Sequence, residues 1–67
     1  MSFKVYTLAK GAKRIQITFY DERNKFVEVI YYKEHEKPAD RTMYTFKTSS
    51  ARALWDEKVG LGYDRVN

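Results

Sequence analysis

The chain contains no cysteine, a single histidine, a single proline and three glycines. Without thiols there is no disulfide and no thiolate metal centre to reinforce a small fold. The missing cysteines fit a reducing compartment, and a cytoplasmic or nucleoid-associated location is expected. His35 stands between Glu34 and Glu36. Successive side chains of a loop diverge, so this trio is expected to be a solvated loop and not a metal or acid–base site. Asp21-Glu22 and Asp56-Glu57 are adjacent acids, which do not face each other on one element and make poor catalytic pairs. A Gly-rich phosphate loop and a nucleophile-and-base signature are also missing. No enzymatic activity, cofactor or metal is therefore expected. No apolar run approaches the roughly 18 residues of a membrane span. The opening Met1-Ser2-Phe3-Lys4 lacks the apolar stretch of a secretory signal.

One further absence is local. No acidic residue precedes Asp21, while Lys4, Lys10, Lys13 and Arg14 lie in the same stretch. From Asp21 onward nine basic and nine acidic side chains cancel, so the formal charge of +4 arises in the first twenty residues. Phe3, Val5, Tyr6, Ile15, Ile17, Phe19 and Tyr20 are threaded among those cations. A cationic field beside flat rings suits single-stranded nucleic acid.

The 67 residues are read as one domain, 1–67. A domain of that size buries only about 60% of its unfolded surface. Dense aromatic packing or a partner subunit must add the rest of its stability. Six Tyr, four Phe and one Trp supply the rings.

Residue patterning predicts an α+β fold: a four-stranded antiparallel β-meander followed by one C-terminal helix on one face, in the order ββββα. Phe3 to Leu8 is the first strand, and Ala9 to Ala12 a turn in which Gly11 can take a positive φ. Arg14 to Tyr20 alternates cleanly, with Ile15, Ile17 and Phe19 on one side and Gln16, Thr18 and Tyr20 on the other. Asp21 to Asn24 is polar, and Asn24 suits a left-handed hairpin position. Lys25 to Lys33 is a third strand, with Val27, Val29 and Tyr31 inward and Phe26, Glu28, Ile30 and Tyr32 outward. Glu34 to Asp40 is a loop holding Pro38. Arg41 to Lys47 is a fourth strand, with Tyr44 and Phe46 inward and Met43, Thr45 and Lys47 outward.

The helix is expected to begin near Ser49, with Thr48, Ser49 or Ser50 as N-cap. Its apolar stripe runs through Ala51, Leu54, Trp55 and the stem of Lys58 to Leu61. Gly60 or Gly62 ends it, Tyr63 packs back on the last turn, and Asp64 to Asn67 is an extended tail. The uncovered face would carry Tyr6, Gln16, Thr18, Tyr20, Phe26, Ile30, Tyr32 and Thr45, too many rings for a surface without a task.

Several stretches then resemble a known family. Tyr6-Thr7-Leu8-Ala9-Lys10 followed by Lys13-Arg14-Ile15-Gln16-Ile17 resembles the opening strand pair of the single-stranded-DNA-binding transcriptional coactivators of the positive cofactor four family, and more distantly of the Whirly proteins. Lys25 to Lys33 resembles their third strand. Phe46-Lys47-Thr48-Ser49 leading to Leu54-Trp55 resembles their strand-to-helix junction. The Lys-Gly pair that enters the last strand in that family is replaced here by Arg41-Thr42-Met43, and Gly60 and Gly62 shorten the helix. The resemblance implies single-strand binding on a curved sheet and a homodimer formed through the helix region. The ending from Leu54 to Tyr63 also resembles small proteins of cyanobacteria and their phages.

Two functions follow as expectations. In the first, single-stranded DNA or RNA lies on a basic and aromatic sheet face, in transcription or replication. Lys10, Lys13, Arg14, Arg41 and Lys47 would then meet phosphates, and Tyr6, Tyr20 and Tyr32 would lie under bases. In the second, the chain is an accessory or inhibitory subunit that docks its aromatic face or a strand edge on a larger protein. No membrane partner is expected.

Overall fold

The computed structural model describes residues 3–20 and 26–67. Five strands and one helix follow one another as β1 (Phe3–Lys10), β2 (Lys13–Tyr20), β3 (Phe26–Lys33), β4 (Met43–Lys47), α1 (Thr48–Gly60) and β5 (Asp64–Arg65). A short 3-10 turn, Pro38–Asp40, interrupts the loop before β4. All strands join one sheet in the order β4-β3-β2-β1-β5, and every pairing is antiparallel. The fold is therefore α+β, as the patterning predicts, with one strand more than the four expected. The turn assigned to Asn24 lies outside the described residues.

The β1–β2 hairpin is tighter than its sequence indicates. Lys10 pairs with Lys13, which leaves Gly11 and Ala12 as the whole loop. Gly11 has φ +60° and Ala12 does not enter the positive-φ region. Only the first central residue is left-handed, which matches the type II′ turns that suit twisted hairpins.

Register sorts the side chains onto two faces, because directly opposed residues point the same way and neighbours alternate. Tyr6, Ile17, Val29 and Tyr44 stand in one row, and Lys4, Phe19, Val27 and Phe46 in the next. This is the face that α1 covers. Leu8, Ile15, Ile17, Val27, Val29 and Ala51 are fully buried there, with Phe19, Phe46, Leu54, Trp55 and Tyr63 packed against them. Ala51 lets the helix approach the sheet closely. Tyr31 and Tyr44 share this face but remain exposed, with ring centroids 6.0 Å apart.

Three expectations about the helix and tail need correction. β4 runs into α1 without a loop, so the N-cap is Lys47 in extended conformation. It makes no side-chain cap bond, and Thr48, Ser49 and Ser50 form the first turn instead. At the other end the amide of Tyr63 donates to the Lys58 carbonyl at 3.0 Å and that of Gly62 to Val59 at 3.1 Å. With Gly62 at φ +100°, this is a Schellman closure. The reversal turns Leu61 off the apolar stripe, where it is 54% exposed, and brings Tyr63 back onto the core in its place. It also sends Asp64-Arg65 antiparallel along β1, opposite Ala9 and Leu8, and the Val66 amide donates to the Thr7 carbonyl at 2.9 Å. The tail is thus a fifth strand.

Candidate binding surfaces

The face opposite the helix carries Phe3, Val5, Thr7 and Ala9 from β1, and Arg14, Gln16, Thr18 and Tyr20 from β2. β3 adds Phe26, Glu28, Ile30 and Tyr32, and β4 adds Met43, Thr45 and Lys47. Gln16, Thr18, Tyr20, Phe26, Ile30, Tyr32 and Thr45 are therefore placed as expected. Tyr6 is not. The β1 phase is fixed by Leu8, which is buried opposite Ile15, and Tyr6 two residues earlier must share its face. Its ring meets Trp55 on the helix side.

The open face is not covered by the helix and mixes apolar with polar side chains. Phe3, Val5, Phe26 and Met43 are 37–59% exposed. Phe3 and Tyr20 pack with centroids 6.0 Å apart. Continued one residue past the Phe19–Val27 pair, the β2–β3 register sets Tyr20 opposite Phe26, and Phe26 in turn faces Lys47. One end of the face is thus a row of three rings closed by a cation. In the next row inward Glu28 stands between Thr18 and Thr45. The Tyr20 hydroxyl donates to the Glu28 carboxylate. This bond comes first in holding the Tyr20 phenol above its ordinary value, followed by burial and the Glu28 charge. Among the described residues the face carries Arg14 and Lys47 against Glu28 and Asp64, so these charges cancel.

The cations expected to meet phosphate are divided among several places. Lys10, Lys13 and Lys33 stand in one register row at the end of the sheet, on the helix side. Like charges set side by side destabilise a sheet. The helix C-terminus offsets this, since Lys10 Nζ donates to the Leu61 carbonyl at 2.6 Å, where the helix dipole is negative. Arg14 lies on the open face, donates to the Gly11 carbonyl at 2.6 Å and stands 4.0 Å from Glu34. Arg41 reaches Glu36 at 3.4 Å. The expected set therefore splits: Arg14, Tyr20, Tyr32 and Lys47 share the open face, Lys10, Lys13 and Tyr6 lie on the other, and Arg41 precedes β4.

Glu34 and Glu36 are both engaged in the loop, and Glu36 also accepts the Lys33 amide at 2.7 Å. Among the described residues no group of three or more His, Asp or Glu side chains is placed to hold a metal ion. No helix of the described chain is long and apolar enough to cross a membrane.

A second surface was not read from the sequence. Between β1, α1 and β5 lies an open cleft of about 440 Å³ lined by Tyr6, Phe19, Arg52, Trp55, Asp56 and Arg65. Tyr6 packs edge-on against Trp55 at 5.5 Å and against Phe19 at 5.9 Å. The Arg65 guanidinium lies 5.1 Å from the Tyr6 ring centre. Arg52 precedes Trp55 by three helical positions, a spacing that places both on one side of the helix and is legible in the sequence. Arg65 was not legible, because it arrives only through the Schellman reversal.

Comparisons with protein-family models, with curated proteins and with solved structures find no match for this chain.

Proposed function

We propose that this chain is a non-enzymatic protein-interaction module, an accessory subunit that docks its open sheet face on a flat apolar surface of a larger protein. The observation that carries this reading is the uncovered face itself, with exposed Phe3, Val5, Phe26 and Met43 and cancelling charges. Several exposed large apolar side chains gathered on one uncovered face mark an interaction site. Rings at the rim and aliphatic Ile30 between them match the aromatic enrichment of protein interfaces.

The test is site-specific photocross-linking in the native host. A benzophenone side chain at Met43 should give one discrete adduct with a larger protein, and the same probe at Val59, exposed on α1, should not. Ile30→Lys should abolish the Met43 adduct while the chain stays folded. No adduct from Met43, or equal adducts from both positions, would refute the reading. An adduct of twice the chain mass would refute it in favour of a second copy.

A second reading, single-stranded nucleic acid on the same face, is favoured by the Phe3–Tyr20–Phe26 row and its closing Lys47. Stacked bases gain roughly 1–3 kcal/mol each on such rings. Glu28 in the next row opposes it, because a carboxylate repels phosphate. Labelled oligothymidine and oligouridine should then bind with an affinity that falls as salt rises and that weakens in Tyr20→Ala. No binding at low salt would remove this reading.

A further inference from the structure

We propose that the cleft between β1, α1 and β5 binds a nucleotide unit, with the heterocycle against the Tyr6–Trp55–Phe19 rings and the phosphate on Arg52 and Arg65. This goes beyond docking on the open face, since the cleft lies on the helix side of the sheet and the two surfaces can be occupied together.

The shape comes first. A volume of about 440 Å³ falls within the range of small-molecule sites, roughly 300–1,000 Å³. Its three rings are held edge-on, at 83° for Tyr6 and Trp55 and 72° for Tyr6 and Phe19. Edge-on packing fixes the rings while consuming fewer of their faces than stacking does. All three are half-buried, so each is anchored in the core yet reaches the cleft.

Charge then selects among planar ligands. Arg52 and Arg65 line the cleft with only one carboxylate, Asp56. Arg52 and Asp56 are four positions apart on α1, yet neither is in an ion pair among the described residues. Lys4 stands on the same face, opposite Phe19. The described lining of the cleft is therefore cationic, and among the described residues its two guanidinium groups have no carboxylate partner. A guanidinium binds phosphate oxygens in a fork and stacks on flat rings, both of which a nucleotide offers. An apolar ligand would leave these cations desolvated and unmatched, and inorganic phosphate would leave the rings unused. Packing of Arg65 on Tyr6 accounts for Arg65 alone; it explains neither Arg52 nor the open volume.

Trp55 is the only tryptophan of the chain, so its indole N–H is a single NMR reporter inside the site. Adenosine monophosphate should shift that resonance saturably, with a Kd of about 1 mM or tighter. Adenosine alone and inorganic phosphate alone should each bind at least about tenfold more weakly, a difference of roughly 1.4 kcal/mol. Arg52→Gln and Arg65→Gln, both at exposed positions, should each weaken the nucleotide about tenfold without altering the amide spectrum of the fold. A short oligothymidine supplies the second arm: if it shifts the same indole more tightly than the mononucleotide, the unit belongs to a strand; if not, it is a free nucleotide. Either source requires Arg52, whereas a strand on the open face would require Tyr20 and ignore Arg52. An indole unmoved by both ligands, or full affinity retained in both arginine variants, would overturn the proposal.

Discussion

Ile17 and Ile30 allow one chemical change to be made on each face of the sheet. Ile17 is completely buried between Tyr6 and Val29 beneath the helix, whereas Ile30 is half-buried between Gln16 and Met43 on the open side. Ile17→Ala removes transfer energy and leaves a cavity in a packed core, for a loss of about 2–5 kcal/mol. At roughly 0.05–0.15 kcal/mol per residue the whole domain holds only about 3–10 kcal/mol, so this change consumes much of its stability. The midpoint should fall by roughly 8–40 °C, at about 4–8 °C per kcal/mol for a domain this small. Ile30→Ala removes the same atoms from a site already half in water, and should cost about 1 kcal/mol and only a few degrees. Thermal melts followed by circular dichroism, at two protein concentrations, measure both. Equal losses would refute the assignment of faces. A large, concentration-dependent loss in Ile30→Ala would show that the open face is already covered by a second copy of the chain.

Two further outcomes follow from local geometry. Gly62→Ala should destabilise by roughly 1–2 kcal/mol, because φ +100° is strained for any side chain although the nearest atom, Lys10 Cε, lies at an ordinary 3.6 Å. Gly60→Ala meets open space in a helical position and should stabilise by up to about 1 kcal/mol, so identical urea midpoints for the two variants would contradict the helix closure. Tyr20 and Tyr31 both ionise above the ordinary tyrosine value of 10.0, Tyr20 first through its bond to Glu28 and Tyr31 first through burial and then the Glu57 charge. The folded state holds these protons longer than the unfolded chain, so their contribution is complete below about pH 10 and is lost as pH rises through the folded values. Urea melts across that range, beside a phenolate absorbance titration, should show stability falling; a flat profile would remove this linkage.

Period-two alternation in β2 and β3 by itself determines the faces of Ile15, Ile17, Phe19, Val27, Val29, Tyr20, Phe26 and Tyr32, because burial of one side leaves little freedom of phase. The i, i+3, i+4 spacing of Ala51, Leu54 and Trp55 located the helix and its inner side for the same reason. Tyr6 escaped that reading: β1 is apolar on both sides, and only its pairing of Leu8 with Ile15 decides the phase. The division of the cations likewise depends on register, which set Lys10, Lys13 and Lys33 in one row on the helix side. Arg65 joined Tyr6 and Trp55 through a two-residue strand too short to carry a pattern of its own. Composition and periodicity thus determined a small sheet with one helix, because burial demands repeat at short range. Which rings meet which cations was decided only by the tertiary structure, since residues more than forty positions apart are brought together by the glycine reversal at the helix end.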